Sequence, residues 1–332
     1  MKKLFIFGCF IFCRMFFSQE FKYFDYIKEA EDLYHQKNFK ESALKYDIAY
    51  ESMNQLIVQN DLYNAACAWS LAGNSDKAFL YLDHIVDNRM IQTWNDPTEF
   101  YKLLINDNDF RTLKSDKRWS VLVGKAYNRQ QDYNKKINNP LADRIRLIGI
   151  KDQGLRLKLD SVRKKSGLNS VFEKELMLKI KKQDSLNLFE LEDIIKNYGW
   201  LGPYEIGYKN NQYLFLVIQH ADLKTQKKYL SVLREAVRNG KALPKDLAYL
   251  EDRINRRSGI PQIYGSQVYI DKIQKTYYLF PVQNVDLLDS KRASVGLEPI
   301  STYLKNSFNM DWNIAKYKEE MPLLEKELLK GN

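Results

Sequence analysis

One histidine in the second half of the chain has a side chain suited to acid–base chemistry. His220 closes the apolar run LFLVIQH, and VIQHAD places a carboxylate two positions later at Asp222. Imidazole exchanges a proton near neutral pH, so His220 suits a general acid or base. The alternative is a buried neutral histidine, hydrogen-bonded within a helical core. Residues two apart on one helix do not face each other, so His220 and Asp222 would converge only if the helix broke at Ala221.

A hydrolytic role for His220 would need a carboxylate to orient the ring and a cation to hold the substrate. Asp184 and Asp252 are the candidates for the first task, and Arg253 and Arg292 would hold an anionic substrate. The alternatives are structural. Asp252 and Arg256 have the spacing of an ordinary surface ion pair on a helix. Asp222 precedes the helical pattern LKTQKKYL and is predicted to be its N-cap.

Further polar residues occur where a helix or strand would otherwise be apolar, and they are candidate contacts to a small polar ligand. Amide side chains both donate and accept, which suits such recognition. In GIPQIYGSQ, Pro261 and Gly265 are expected to interrupt a strand, and a bulge at Gly265 would turn Gln267 to the side of Gln262. Trp200 would stack on a sugar or base, or pack in the core. The candidate ligand contacts are Asp152, Gln153, Arg156, Asn187, Trp200, Gln219, Asp222, Gln262, Tyr264, Gln267 and Arg292.

Several chemistries lack their usual sequence signals. The chain has no CxxC, no HExxH and no second histidine near His220, so no metal site is predicted. It has no glycine-rich phosphate loop and no serine nucleophile elbow, and no cofactor is predicted. Cys67, within NAACAWSLAG, is expected to be a buried packing thiol rather than a nucleophile.

Taken in chain order, these motifs resemble a family of bacterial domains of unknown function. The signatures of that family are D-Q-x-x-R, G-W, Q-H-A-D, D-R and Q-x-Y-G-[ST]-Q. They correspond here to KDQGLR, YGWLG, VIQHAD, LEDR and GIPQIYGSQ, and the resemblance covers about residues 141 to 305. It implies no reaction, because no activity is established for the family.

The elements that must position these residues are predicted to be mainly helical. Apolar spacing indicates helices at 141–166, 171–198, 211–238, 244–257 and 286–295, and another near the C-terminus. Period-two alternation in PQIYGSQVYIDKIQKTYYLFPV predicts one β-hairpin. The polar run Asn128 to Pro140 has the composition of a linker or a frayed helix end, so we place a linker at 134–140 and a mostly α domain at 141–332.

Residues 19–133 are predicted to form a separate helical domain that resembles tetratricopeptide repeats. Equivalent positions Ser42 and Ala78 are 36 residues apart, close to the spacing of about 34 in that repeat. A further layer around DNDFRTLKSDKRW would close the stack with Phe110, Leu113 and Trp119. The resemblance implies a docking surface for a protein or peptide over residues 21–127. Its repeat positions are Ala30, Phe39, Ser42, Tyr46 and Ala49, then Ala66, Trp69, Gly73, Ala78 and Leu82.

The N-terminal residues predict where the protein is located. Lys2 and Lys3 precede an apolar run from Leu4 to Phe17, too short for a comfortable membrane span, so residues 1–18 are interpreted as a signal peptide. This predicts a periplasmic or extracellular protein with no stable membrane span. The net charge of +10 is intermixed along the chain, which does not favour nucleic-acid binding.

Two functions follow from the sequence. The first is an exported adaptor or binding protein, whose helical repeats dock a protein partner and whose second domain holds a small polar ligand. The alternative is an extracytoplasmic hydrolase that uses His220 with a carboxylate and an arginine.

Overall fold

The computed structural model describes residues 23–52, 59–87, 96–271 and 276–330, so the predicted signal peptide at 1–18 lies outside the described residues. The fold is mainly α with one small antiparallel sheet, which confirms the predicted class. By its contacts the chain divides into two units. One is Met1–Lys135 with Asp289–Thr302, and the other is Lys136–Leu288 with Tyr303–Asn332.

The first unit is built from consecutive helices joined by short turns. Helix α1 covers the described residues 23–35, and it is followed by α2 (Phe39–Ser52), α3 (Gln59–Leu71) and α4 (Ser75–Val86). Small residues allow α1 and α2 to approach closely. Ser42 on α2 is buried and donates a hydrogen bond of 2.7 Å to the carbonyl of Ala30 on α1. Gly73 adopts φ +82° in the turn before α4, a conformation that favours glycine.

A further layer follows in the same unit. It consists of α5 (Pro97–Asn106), two short 3-10 turns and α6 (Lys117–Lys136). Phe110 and Leu113 are fully buried in the core of this unit, and Trp119 packs against it with its ring 6.0 Å from that of Phe110. These are the three residues expected to close the helical stack. Cys67 is buried and unbridged, as expected for a packing thiol.

The polar run at 128–140 is helical almost throughout, and the boundary between the two units, after Lys135, lies inside the stretch 134–140 that was expected to be a linker. Helix α6 extends to Lys136 and α7 (Asn139–Ser166) begins three residues later. Asn138 caps α7, because its side chain accepts a hydrogen bond of 3.2 Å from the amide of Leu141. Polar residues at adjoining helix ends produced the composition of a linker.

The second unit centres on α7, α8 (Val171–Tyr198) and α10 (Tyr208–His220), which pack on one another. The one-turn helix α9 (Pro203–Ile206) precedes α10. Helices α11 (Leu223–Arg238) and α12 (Pro244–Arg257) form a second pair. The helical pattern at 211–238 consists of two helices, as the N-cap interpretation of Asp222 requires: the backbone is extended at Ala221, and Asp222 caps α11.

The predicted β-hairpin is confirmed, but it is shorter than its alternating pattern. Strands β1 (Val268–Asp271) and β2 (Thr276–Leu279) pair antiparallel, with Val268 opposite Leu279. Residues 263–267 form a loop rather than the expected interrupted strand. The residue before this loop, Gln262, forms an isolated β-bridge with Val282.

Three helices complete the described chain: α13 (Leu288–Ser294), α14 (Ile300–Phe308) and α15 (Ile314–Lys330). The Tyr317 hydroxyl on α15 joins the end of the hairpin, donating to the Phe280 carbonyl at 3.0 Å and accepting from the Val282 amide at 2.9 Å. Within the described ranges, no helix combines the length and apolar character needed to cross a bilayer.

Candidate functional site

His220 lies at the C-terminal end of α10 and meets a carboxylate on α7. Its Nδ1 is 3.2 Å from Oδ1 of Asp152, which is almost completely buried, whereas the His220 side chain is 16% exposed. An ionised carboxylate only accepts hydrogen bonds, so this contact requires the proton of the neutral ring to be on Nδ1, from which it is donated as a hydrogen bond to Oδ1 of Asp152. No described residue bonds to Nε2. The second nitrogen is thus left as an accessible proton acceptor.

Arg156 joins this pair to a second carboxylate. Its Nη1 donates to Oδ1 of Asp152 at 3.0 Å, one helical turn away, and its Nη2 donates to both oxygens of Asp184 on α8 at 2.9 and 3.0 Å. A planar guanidinium fixes carboxylates in direction as well as charge. Gln153 adds a donor, because its Nε2 lies 2.6 Å from Oδ2 of Asp152. We call Asp152, Gln153, Arg156, Asp184 and His220 the Asp152 cluster.

The two carboxylates of the cluster are tuned in opposite directions. Burial raises the pKa of Asp152, but the hydrogen bond and charge of His220, together with Arg156 and Gln153, outweigh it and bring the pKa below its ordinary value. Burial raises the pKa of Asp184 above its ordinary value, and Arg156 compensates only in part. Asp152 is therefore the permanent anion beside the imidazole.

A second arginine lies next to the cluster without an acidic partner. Arg253 on α12 donates from Nη1 to the carbonyl of Gln219 at 3.2 Å, the residue before His220. Its Nε is buried and has no hydrogen-bond partner, and no carboxylate in the described chain forms an ion pair with it. Burial first, and then the charges of Arg257, Arg256 and Arg156, lower the pKa of Arg253 to about 10, so it remains a cation at neutral pH.

Two further buried amides lie on the elements that carry the cluster. Asn187 follows Asp184 by three residues on α8; its Oδ1 accepts from Gln183 at 2.8 Å, while its Nδ2 is buried without a partner. Gln226 donates to the Gln219 carbonyl at 2.7 Å and leaves its Oε1 buried without a partner. Buried polar atoms are normally paired, so these atoms add unsatisfied hydrogen-bonding capacity to the second unit.

Asp252, the other carboxylate expected to orient His220, makes no described contact with that ring. Its carboxylate is fully buried and accepts from the backbone amides of Ile263 at 2.6 Å, Tyr264 at 3.0 Å and Ser266 at 2.9 Å. These bonds remove the donors that a β-ladder would need, which explains the loop at 263–267. No described ion pair joins Asp252 to Arg256, whose guanidinium instead lies 4.3 Å from the Phe280 ring centroid.

The glutamines of GIPQIYGSQ have structural partners. Gln262 is buried, donates to the Gln267 and Phe280 carbonyls at 3.1 and 2.8 Å, and accepts from the Gln267 amide at 2.8 Å. Gln267 donates to the Ser266 hydroxyl at 3.2 Å. Gln262 and Gln267 do meet, as the bulge hypothesis expected, but through backbone atoms of Gln267. Tyr264 is half-buried, and burial raises its pKa.

The remaining predicted contacts have local roles. Asp222 caps α11, accepting from the Thr225 amide at 2.7 Å, which confirms the N-cap interpretation. Trp200 packs in the core of the second unit, and its Nε1 is buried without a partner. Arg292 is buried in the Asp289–Thr302 segment and donates to the Glu298 carbonyl at 2.6 Å.

Among the residues that the structure describes, two groups have donor atoms close enough to hold a metal ion. One is Asp152, Asp184 and His220, whose ligand atoms lie within 4.8 Å of one another. Arg156 already supplies the compensating charge between the two carboxylates, so an ion would have to displace its guanidinium. The other group is Cys67, Asp107 and Asp109, where burial and the two carboxylates raise the pKa of the thiol far above its ordinary value. Neither environment favours metal binding.

The sequence identified every member of the cluster but not the pairing. Asp152 was expected to contact a ligand, and Asp184 or Asp252 was expected to orient His220; in the structure Asp152 contacts the ring and Asp184 accepts from Arg156. A usable signal was present, because Asp152 and Arg156 have the i, i+4 spacing of a helical ion pair. Which carboxylate faced His220 depended on how α7 and α10 cross.

Comparison with known proteins supplies a family but no reaction. No curated protein and no solved structure matches the chain. One family model, the family of unknown function DUF6624, matches residues 145–311, just over half of the chain. The match includes every member of the Asp152 cluster as well as Arg253, and it confirms the expectation of an uncharacterised domain there. The chain belongs to the family of unknown function DUF6624.

Proposed function

We propose that the second unit is a hydrolase in which His220 acts as the general base. The observation that carries this proposal is the Nδ1 contact of 3.2 Å to Asp152, which leaves Nε2 accessible and without a described partner. A histidine retained only for packing would more commonly have its polar atoms satisfied inside the core. Carboxylate support of one imidazole nitrogen with the other left open is an arrangement used in acid–base catalysis.

The chemical step needs only groups in the cluster and water. Nε2 takes a proton from a water molecule as its oxygen attacks the electrophilic centre of an ester or phosphoester. The imidazolium that forms is stabilised by Asp152, whose lowered pKa keeps it ionised. The same proton then passes from Nε2 to the departing oxygen as its bond to the centre breaks. Arg156 holds Asp152 in place throughout, and Asp184 balances the charge of Arg156.

Arg253 indicates that the substrate is an anion. A guanidinium with a buried, unpaired Nε and no anion beside it is costly, and native proteins normally pair such a charge. Arg253 uses one donor on the Gln219 carbonyl, which also helps to satisfy the C-terminal end of α10. Its Nε and Nη2 remain without described partners beside the residue that precedes His220. We therefore assign it the binding of a substrate oxyanion, with Arg156 in electrostatic range.

The test is a panel of chromogenic substrates: p-nitrophenyl acetate, p-nitrophenyl phosphate and bis-p-nitrophenyl phosphate. The proposal expects turnover of an anionic member. His220→Gln should lower kcat by about 10²–10⁴-fold with little change in melting temperature. Arg253→Gln should raise KM for the anionic substrates selectively. Arg238→Gln, at the end of α11, is the matched control, because Arg238 forms no described ion pair or hydrogen bond.

Binding without turnover is the second candidate, and the unpaired atoms Arg253 Nε and Asn187 Nδ2 favour it. Inorganic phosphate that raised the melting temperature of wild type but not of Arg253→Gln, with no hydrolysis of any panel member, would select this function. Inactivity on the panel combined with no phosphate effect would contradict both candidates.

The first unit fits a docking role within the same proposal. We assign the helices over residues 21–127 to a tetratricopeptide-like module for a protein or peptide partner. The Ser42 contact to Ala30 and the glycine turn at Gly73 support this, as do the exposed apolar side chains of Leu44, Ile48 and Leu80. Serine substitutions at these three exposed positions should abolish cross-linking to the partner in host extracts and leave the melting temperature unchanged.

Export and the finer family signatures belong to the same proposal. Lys2, Lys3 and the apolar run to Phe17 support secretion to the periplasm or beyond, with a mature N-terminus near Gln19. N-terminal sequencing of protein from the native host decides this, and retention of residues 1–18 in a cytoplasmic pool would contradict it. The signatures D-Q-x-x-R and Q-H-A-D hold the Asp152–His220 pair, which is how we propose to explain their co-occurrence.

A further inference from the structure

The distal part of the α7–α8 hairpin stands apart from the site and is almost entirely solvent-exposed. Between Leu157 and Lys179, only Leu159 and Glu173 are buried. The turn is nevertheless well specified, because Ser170 caps α8 and Arg163 forms an ion pair of 2.8 Å with Glu173. The exposed surface therefore belongs to an ordered pair of helices.

The outer face of α8 presents large apolar side chains to water. Val171, Leu178 and Phe189 are 68%, 71% and 76% exposed. At 3.6 residues per turn these three positions fall within roughly 20° of one another around the helix axis, over a length of about 27 Å. Exposed apolar residues aligned in this way usually mark a binding surface.

The same face is basic. Lys174, Lys179, Lys181 and Lys182 are exposed, and none of them forms an ion pair with a described residue. Residues 157–182 contain eight basic side chains and three acidic ones. One acidic residue, Glu173, is already paired with Arg163. The surface thus combines apolar anchors with unpaired ammonium groups.

A groove of about 790 Å³ lies between the two helices at this end of the hairpin. Its lining combines the apolar side chains of Leu157, Phe172 and Leu176 with the ammonium groups of Lys158, Lys165 and Lys179 and with one carboxylate, that of Glu175. Such a lining can hold an acyl chain beside a phosphate.

A partner helix fits this face poorly. A helix–helix seam beginning at Val171 would continue at 174, 178, 181 and 185, which are Lys174, Leu178, Lys181 and Ser185. A dry seam would bury two ammonium groups, and a second copy of the chain would place like charges opposite each other. At a lipid surface, lysines extend to the phosphates while the apolar side chains enter the acyl boundary.

We propose that the outer face of α8 and the adjoining groove form a peripheral docking site for an anionic phospholipid bilayer, with α8 lying along the surface. This inference rests on the exposed face alone and is independent of the hydrolytic proposal. The bilayer would anchor the second unit by electrostatic attraction together with shallow insertion.

The test is co-sedimentation with vesicles of phosphatidylcholine alone and of phosphatidylcholine with phosphatidylglycerol. It uses the full chain and the chain from Gln19, so that the apolar run at 4–17 cannot account for binding. Binding to the anionic vesicles should exceed binding to the neutral ones by about ten-fold or more. Two multiple variants should each reduce binding to the anionic vesicles by a similar factor. The first is the triple serine variant Val171→Ser, Leu178→Ser and Phe189→Ser. The second replaces the four lysines of this face with glutamine: Lys174, Lys179, Lys181 and Lys182.

The matched control replaces three exposed apolar residues elsewhere in the second unit, Ile260, Leu287 and Leu323, with serine, and it should bind like wild type. Circular dichroism checks that each variant is folded. Failure of the chain from Gln19 to bind the anionic vesicles would overturn the proposal, as would α8 variants that bind like wild type. If the wild-type chain does not bind vesicles but self-associates with concentration, and the α8 serine variant does not self-associate, the face would instead bind a second copy of the chain.

Discussion

The ring of Tyr213 lies directly against Gly149, so closely that a Cβ atom at Gly149 would fall 2.2 Å from the Cγ and Cδ2 atoms of the ring. This contact brings α10 against α7. Asp152 follows Gly149 by three residues, and His220 follows Tyr213 by seven, so each lies on nearly the same helix face as its glycine or tyrosine. The glycine therefore sets the separation across which His220 reaches Asp152.

Gly149→Ala should destabilise the second unit by about 1–3 kcal/mol, because the added methyl group must displace the Tyr213 ring. Chemical unfolding followed by circular dichroism measures the change. Gly154→Ala on the same helix is the control: nothing lies within 4 Å of its added Cβ, and alanine should stabilise α7 by about 0.5–1 kcal/mol. Equal effects at the two glycines would show that the Tyr213 contact does not constrain the helices.

Arg156→Leu should cost about 3–5 kcal/mol near neutral pH, because it leaves the buried Asp152 and the half-buried Asp184 without their shared cation. Removal of that cation raises the folded-state pKa of both carboxyls. A group with a raised folded-state pKa is most stabilising when protonated, so the loss should be smaller at pH 4.5 than at pH 8. Urea unfolding at the two pH values measures it, and a loss independent of pH would be inconsistent with this pairing.

Asp252→Ala should open the loop at 263–267 rather than alter His220. The change leaves three backbone amides without their acceptor, at about 1–3 kcal/mol for each buried donor. Hydrogen exchange should accelerate at Ile263, Tyr264 and Ser266 before the rest of the unit. Asp311→Ala, at a 90% exposed side chain, is the control. Unchanged protection of the three amides in Asp252→Ala would count against the assignment.

Asp246 should make stability depend on pH. It is buried at the start of α12 and accepts from Gln212 at 3.0 Å, and burial raises its pKa to about 6. A raised folded-state pKa gives stability that is complete below the ordinary value and is lost as pH rises through about 6. Asp246→Asn should therefore gain about 2.5 kcal/mol relative to wild type between pH 4 and pH 8. Unfolding free energies that run parallel for the two proteins over this range would refute the prediction.

The sequence predicted the helical class, the hairpin and the members of the cluster because these depend on local pattern. The chain around His220 shows a feature that the local sequence pattern does not predict. The run from Asn211 to Arg238 has continuous helical periodicity, and the break at Ala221 depends on the cap at Asp222 and on Arg253 and Arg257 reaching the carbonyls at 219 and 221. Likewise, GIPQIYGSQ alternates like a strand, but its backbone amides donate hydrogen bonds to the carboxylate of Asp252, which is distant in sequence. Such contacts are set by tertiary packing.

The protonation state of the His220 ring decides whether Asp152 supports this histidine as a base. The chain has three histidines, His35, His84 and His220, so long-range ¹H–¹⁵N spectra assigned with His220→Gln resolve the ring. We expect neutral His220 to carry its proton on Nδ1, with Nε2 unprotonated, and we expect Asp152→Asn to weaken this preference. A neutral ring protonated on Nε2, with the same spectrum in wild type and Asp152→Asn, would contradict the assignment of His220 as a base supported by Asp152.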